Sequence, residues 1–154
     1  MMQSPTFDQM SSNQALHLFR ESSLLGWFYR LWARLTNRSS RLLDLDEALC
    51  CSEVKNSHYA GIRPVCIDRI QGTLGKSDEF DAEFHPVKES SRSRWLSVAL
   101  EKLRDHDLPP VELVDVDGIY YVRDGHHRIS VARSLGQEYI EAEITRLSLS
   151  RRIM

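Results

Sequence analysis

The chain has 154 residues, of which 42% are hydrophobic and 27% are charged, and its formal net charge is −2 at pH 7. This size suits one globular domain with an appendage. The slight negative charge argues against a protein that mainly coats nucleic acid, because such proteins need a surplus of Lys and Arg. The N-terminal residues lack the pattern of a secretion signal, and no apolar run reaches the roughly 20 residues of a membrane span. We therefore expect a cytoplasmic protein without a transmembrane segment.

The sequence pattern divides the chain into three parts: an N-terminal helical appendage over residues 1–60, an α+β domain over residues 61–147, and a basic tail over residues 148–154. In the appendage, apolar residues recur at helical spacing from Leu24 to Leu35, and arginines occupy the other side. A basic amphipathic helix of this kind packs on its own domain, self-associates into a homo-oligomer, binds DNA or a protein partner, or lies on a membrane surface. The sequence leaves these alternatives open.

The α+β domain is predicted to hold a small mixed sheet with flanking helices. The pair Asp117-Gly118 between two apolar runs is the usual signal of a two-residue hairpin, and Gly136 is a typical helix stop. The predicted elements follow in chain order: a strand at 65–70, a loop at 72–76, a short helix at 78–84, a longer helix within 90–108, strands at 111–116 and 119–123, a helix from 126 and a last strand at 139–145. The mixed charges of the longer helix indicate a solvated face.

The segment YYVRDGHHRISVARSLG, residues 120–136, carries the strongest chemical signal. It breaks an apolar strand at Asp124-Gly125 and restarts at once as a helix, whose first turn has unpaired N–H groups at the positive end of the helix dipole. Gly125 would allow a ligand close to the backbone. His126, His127 and Arg128 would add side-chain donors. These features predict a phosphate-binding turn. In the structural alternative, Asp124 only caps the helix and His127 is a core histidine.

The stretch LPPVELVDVDGIYYVRDGHHRISVARSLGQEYIEAEI resembles the core of the ParB/sulfiredoxin superfamily, and the resemblance covers residues 61–147. In ParB partition proteins the corresponding motif reads roughly GERRxxAA and holds the phosphates of CTP. In sulfiredoxins it reads GCHR and holds ATP. Here it reads GHHRxxxA, as in small bacterial proteins described only as ParB-like. The resemblance implies a ParB/sulfiredoxin-like fold. It also implies a nucleoside triphosphate or diphosphate with Mg²⁺ as ligand, held by Gly125, His126, His127 and Arg128.

Departures from these families narrow the expected chemistry. His126 stands where a sulfiredoxin has its reactive cysteine, so sulfiredoxin chemistry lacks its nucleophile. Free-serine kinases of the same superfamily have a similar Asp-Gly-His-His-Arg type motif, which implies that Asp124 and His127 orient an acceptor hydroxyl or a phosphate. The expected function is nucleotide (phosphate) binding, with NTP hydrolysis or small-molecule phosphotransfer left open as activities. The alternative is a non-enzymatic ParB-like regulator that binds DNA or a protein.

The segment IQGTLGKS, residues 70–77, is a second candidate for phosphate contacts. It is not a P-loop, because that motif requires a glycine where Ile70 stands. We expect Gly72 and Thr73 to face the phosphate-binding turn as a backbone-donor loop, with Lys76 near a phosphate; the alternative for Lys76 is a solvated loop lysine. Four carboxylates follow, which are candidate Mg²⁺ ligands or ordinary surface charges: Asp78, Glu79, Asp81 and Glu83.

Overall fold

The computed structural model describes residues 7–75 and 78–151, and within them the protein is a mixed α+β structure. Six strands form one mixed sheet in the order β1-β3-β5-β4-β6-β2. The elements are α1 (Phe7–Leu35), β1 (Leu43–Asp44), α2 (Leu45–Leu49), β2 (Ser52–Cys66), β3 (Ile70–Thr73), α3 (Arg92–Leu103), β4 (Val111–Val116), β5 (Ile119–Asp124), α4 (His126–Ser134) and β6 (Tyr139–Arg151). Short 3₁₀ helices at Ile67–Arg69 and Glu89–Ser91 precede β3 and α3.

The centre of the sheet is the hairpin of β4 and β5, which confirms the prediction from Asp117-Gly118. Both turn residues have positive φ, 52° and 86°, as a tight two-residue hairpin turn requires. β5 also pairs in parallel with β3, with Thr73 opposite Val122. Parallel strands end at the same edge of a sheet, so the end of β3 lies beside the end of β5, where α4 begins. This pairing positions the candidate site.

The outer edge of the sheet is a long antiparallel ribbon of β2 and β6, and here the structure departs from the predicted boundaries. β2 runs continuously across residue 60, and its first residue, Ser52, pairs with Arg151. Residues 52–60 and 148–151 therefore belong to the sheet. Little in the residue pattern predicts this extension, because residues 53–59 are exposed and lack a buried face. Pro64 is tolerated within β2 because β2 is an edge strand.

The helix predicted at 78–84 is wrong: that segment is irregular and is organised around the buried carboxylate of Asp81. Asp81 Oδ1 accepts hydrogen bonds from the backbone N–H groups of Glu83 and His85, both at 3.0 Å. Its Oδ2 pairs with the Arg30 guanidinium of α1 at 3.2 Å. An aspartate that binds nearby backbone donors competes with helix formation, and Asp81 does so here.

The helix α1 lies against the domain through its small side chains and is part of the fold. Its buried residues are Ser11, Ala15, Phe19, Ser22, Gly26 and Ala33. Ala15 and Phe19 belong to the same core as Trp95 of α3, whose indole lies 5.5 Å from the Phe19 ring. The Trp95 indole N–H also donates to Ser130 Oγ of α4 at 2.8 Å, which ties the three helices together. Within the described residues, no helix is both long and apolar enough to cross a membrane.

Gly26 marks the closest approach of α1 to the domain, so Gly26→Ala tests this packing. An added Cβ would lie 2.5 Å from the Cβ of His85, which cannot swing away. Gly to Ala inside a helix normally gains about 1 kcal/mol. Here we expect overpacking to outweigh that gain and lower the free energy of unfolding by about 1–2 kcal/mol, measured by urea denaturation. The exposed control Asn13→Ala should not destabilise, and an equally stable Gly26→Ala would contradict the close packing.

Candidate functional site

The candidate site begins at the single-residue turn between β5 and α4. Gly125 has φ 106°, in the left-handed region, and a Cβ there would lie 2.6 Å from Val111 Cγ1. Both the backbone conformation and the neighbouring side chain therefore require glycine. The first helical hydrogen bond of α4 runs from Ile129 N to Gly125 O at 3.0 Å. The N–H groups of residues 126–128 precede it and lie at the positive end of the helix.

A cleft of about 520 Å³ opens in front of this turn. That volume lies within the range typical of small-molecule sites. The cleft brings together most of the residues predicted from the sequence, with others that were not predicted. Its lining consists of Thr73, Leu74, Gly75, Asp78, Glu79, Arg94, Val98, Asp124, Gly125, His126, His127 and Arg128.

The side chain of His126 links α4 to the end of β3. Its Nε2 lies 2.8 Å from Thr73 Oγ1, and its ring stacks on buried Phe80 with a centroid separation of 6.2 Å. Burial lowers the pKa of His126 from its ordinary value, and neighbouring His127 lowers it further. The imidazole is therefore neutral at pH 7, and its Nε2 is occupied by the threonine hydroxyl.

His127 supplies a buried nitrogen without a hydrogen-bond partner. Its ring packs edge-on against Phe80 at 5.0 Å, and Nε2 forms no hydrogen bond with any residue that the structure describes. The nearest carboxylate oxygen, Glu79 Oε2, is 3.6 Å away. Burial lowers the pKa of His127, Glu79 opposes that shift, and Arg94 adds to it. Buried polar atoms normally have a protein, water or ligand partner, so this nitrogen is a candidate ligand contact.

Arg128 has a different role from the predicted phosphate contact. Its guanidinium donates to the carbonyl oxygens of Pro109 and Pro110, at 2.6 and 2.8 Å, and to Asp124 Oδ2 at 2.6 Å. These bonds join α4 to the segment that enters β4. They also neutralise Asp124, which the sequence had suggested as a group that orients a hydroxyl. The arginine is therefore a structural clamp at the side of the cleft.

The segment predicted to face the turn is only partly a loop. Gly72 and Thr73 lie inside β3, and a Cβ on Gly72 would be 2.2 Å from Tyr121 Cδ1, so this glycine serves packing between strands. Thr73 reaches the site through its hydroxyl rather than its backbone. Lys76 lies outside the described residues.

The acidic residues at 78–83 have separate partners. Asp78 pairs with Lys88, Asp81 with Arg30, and Glu83 with Arg133. Within the part of the chain that the structure describes, no group of three or more acidic, histidine or cysteine side chains is placed to hold a metal ion. The carboxylates at 78–83 therefore form no such cluster, and a Mg²⁺ contact by Asp78 or Glu79 stays a prediction.

Arg94 is a cleft residue that the sequence reading missed, because it was counted with the solvated charges of its helix. It lies in the first turn of α3, is exposed, and forms no ion pair with a described residue. It lines the same cleft as His127, and its charge contributes to the lowered pKa of that histidine. The available signal was its position: the first turn of a helix normally favours acidic side chains, so a cation there is unfavourable without an anion nearby.

Comparison of the chain with protein-family models, with curated proteins and with solved structures found no match. The resemblance to the ParB/sulfiredoxin superfamily therefore depends on the motif and its order of elements alone.

The two histidines predict how stability depends on pH. Since their pKa values are lowered in the folded state, the unfolded chain binds more protons below about pH 6.5. The free energy of unfolding should therefore fall as the pH drops through that value, and level off below the folded pKa values. Urea denaturation at about pH 7.5 and about pH 5 measures this fall. His126→Gln/His127→Gln should reduce it, whereas His17→Gln/His106→Gln, at exposed positions, should not. If the free energy of unfolding fell equally in all three proteins, His126 and His127 would not be the cause of the pH dependence.

The clamp assigned to Arg128 predicts a loss of stability. Arg128→Ala removes charged hydrogen bonds to two carbonyl oxygens, so we expect the free energy of unfolding to fall by about 2–3 kcal/mol in the absence of any ligand. Thermal or urea denaturation provides the measurement. The neighbouring exposed Arg123→Ala is the control and should change stability by less than about 0.5 kcal/mol. If Arg128→Ala left the stability unchanged, the clamp role would be wrong and Arg128 would again be a candidate ligand contact.

Proposed function

We propose that the cleft binds the phosphate groups of a nucleotide, and that the chain is a nucleotide-binding protein of ParB/sulfiredoxin-like type. The observation that carries the proposal is the convergence of three kinds of donor on one cleft. The first-turn N–H groups of α4 and the unpartnered Nε2 of His127 lie on one side. The unpaired guanidinium of Arg94 comes from a second helix.

The pairing of charges in the cleft lining leaves Arg94 available to an anionic ligand. Three carboxylates also line the cleft: Asp78 pairs with Lys88 and Asp124 pairs with Arg128, whereas Glu79 lies near the neutral ring of His127 and has no cationic partner among the described residues. Arg94 is the cation of the lining that is left without an anion among the described residues. A phosphate placed between Arg94 and the N-terminus of α4 would be the missing anion and would also complement the helix dipole.

The size and lining of the cleft favour a nucleotide over a bare phosphate ion. A cavity of about 520 Å³ is larger than one ion needs. Leu74 and Val98 provide apolar surface in the same lining, which suits a base or a sugar. Mg²⁺ would arrive with the phosphate chain and neutralise part of its charge. The order of strand, hairpin, strand, motif and helix also supports the superfamily resemblance.

A reaction at this site would be NTP hydrolysis or phosphotransfer. For such a reaction His127 would take the tautomer with an unprotonated Nε2, which would accept a proton from an attacking water or hydroxyl instead of donating to a phosphate. Glu79, 3.6 Å from that nitrogen, would stabilise the imidazolium formed. The backbone donors and Arg94 would position the phosphates. In this proposal His126 holds the end of β3 in place through Thr73, and it is a positioning residue.

A thermal-shift panel of ATP, ADP, CTP and GTP with Mg²⁺ tests the proposal. At saturating concentration at least one nucleotide should raise Tm by about 5 °C or more. Arg94→Gln should remove most of this rise. The matched control is Arg92→Gln in the same turn, because Arg92 pairs with Glu89 and is not part of the cleft lining. No shift with any nucleotide, together with a salt-sensitive DNA mobility shift, would favour the regulator alternative instead.

A further inference from the structure

The helix α1 exposes a large apolar surface along its second half. Seven large apolar side chains between Leu24 and Leu35 have exposed fractions of 42–79%, and they include Trp27, Phe28 and Trp32. At 100° per residue they cover roughly 160° of the helix circumference over a length of about 17 Å. We call this surface the outer face of α1. Contiguous exposed apolar surfaces of this kind mark interaction sites.

The outer face is not a packing surface for the domain, because α1 packs through its opposite side. Ser22, Gly26 and Ala33, which are small, are buried against the domain, whereas the large side chains point outward. This inverts the usual arrangement of a surface helix, in which the large apolar residues face the core. None of the described residues covers the outer face, so it is available to an apolar environment outside this chain.

The charge around the outer face is positive. Residues 20–41 contain five arginines and one glutamate, a formal net charge of +4, whereas the whole chain carries −2, which leaves −6 for the remainder. Of the five, Arg30 is paired with buried Asp81 on the domain side of the helix, which leaves four arginines for the outer face. Arg20 and Arg34 are exposed beside the outer face and form no ion pair with a described residue. The Arg38 guanidinium lies 5.4 Å from the Trp32 ring. The glutamate, Glu21, ends the apolar surface and is close to His17.

We propose that the outer face of α1 docks on a membrane surface that contains anionic lipids. Aromatic and leucine side chains enter the boundary between headgroups and acyl chains, and the arginines bind lipid phosphates, with the helix lying in the plane of the surface. A second copy of the chain is disfavoured because it would bring one arginine-rich segment against another. A nucleic acid would complement the arginines but leave Trp27, Phe28 and Trp32 uncovered.

Vesicle sedimentation with the full-length protein tests this docking. We expect the protein to sediment with vesicles of phosphatidylcholine containing about 30% phosphatidylglycerol, and at least about tenfold less with phosphatidylcholine alone or at high salt. Tryptophan fluorescence gives a second readout. Trp95 is fully buried and provides a constant background, so an emission blue shift on binding reports Trp27 and Trp32.

Matched variants separate the docking surface from the fold. Trp27→Ser/Trp32→Ser and Arg20→Gln/Arg34→Gln alter exposed positions, so each should keep the Tm of the wild type and lose binding to the anionic vesicles by about tenfold or more. The controls lie on the exposed edge strand β2: Tyr59→Ser/Ile62→Ser for the apolar pair and Lys55→Gln/Arg63→Gln for the charged pair. Both controls should bind as the wild type does.

Three results would overturn the proposal. The first is a failure to sediment with either type of vesicle. The second is equal sedimentation with neutral and anionic vesicles, because the arginines would then have no role. The third is a concentration-dependent dimer, seen by analytical ultracentrifugation, that Trp27→Ser/Trp32→Ser dissociates in the absence of vesicle binding; this would assign the outer face to a second copy.

Discussion

The turn at Gly125 is the constraint on which the cleft depends. A residue with a Cβ would meet Val111 and would also be strained at φ 106°, so the chain can pass from β5 into α4 within one residue only because glycine is there. The short turn sets the start of α4 directly at the end of β5. β3 runs parallel to β5 and ends at the same edge, and Thr73 meets His126 there. The position of the site therefore depends on the parallel pairing of β3 with β5 and on glycine at position 125.

The electrostatics of the cleft follow from how its charges are paired. The Arg128 guanidinium donates hydrogen bonds to Asp124 and to two proline carbonyl oxygens. These bonds stabilise the segment that enters β4, and the Asp124 carboxylate compensates the charge of the arginine. Burial keeps both histidines neutral, so they offer ring nitrogens without a cost in charge repulsion. Among the described residues of the lining, Arg94 is the cation without an ion pair. An anion that entered would raise the pKa values of both histidines, so its binding would be coupled to proton uptake.

How much the sequence predicted depended on whether the signal was local. The hairpin at Asp117-Gly118, the stop at Gly136 and the start of α4 after Gly125 are fixed by backbone conformations that few residues adopt, and all were predicted. The ribbon of β2 and β6 was predicted only in part, through the strands at 65–70 and 139–145. Its full length was missed because residues 53–59 are exposed and show no alternation, and because its register depends on partners 73 to 99 residues away. The segment around Asp81 reads as helical until its carboxylate is known to bind its own backbone.

The site residues show the same division. Gly125, His126 and His127 line the cleft together because the motif and its turn are contiguous in the sequence, and their contact with phosphate stays a prediction. Arg94 and Glu79 come from other segments, and only the packing of Phe80 and α3 against α4 brings them near. Arg128 could not be assigned from the sequence, because the carbonyl groups that it binds belong to a backbone segment about 20 residues earlier.

The bond between Thr73 and His126 joins residues 53 positions apart in the chain. A contact of such long range forms only after an intervening loop has been closed, which costs entropy and slows folding. During synthesis on the ribosome, β3 emerges well before β5 and α4. At that stage Thr73 has no contact with His126, because α4 has not yet been made. The cleft therefore cannot form before α4 has been synthesised, and no fragment that stops before α4 can hold it.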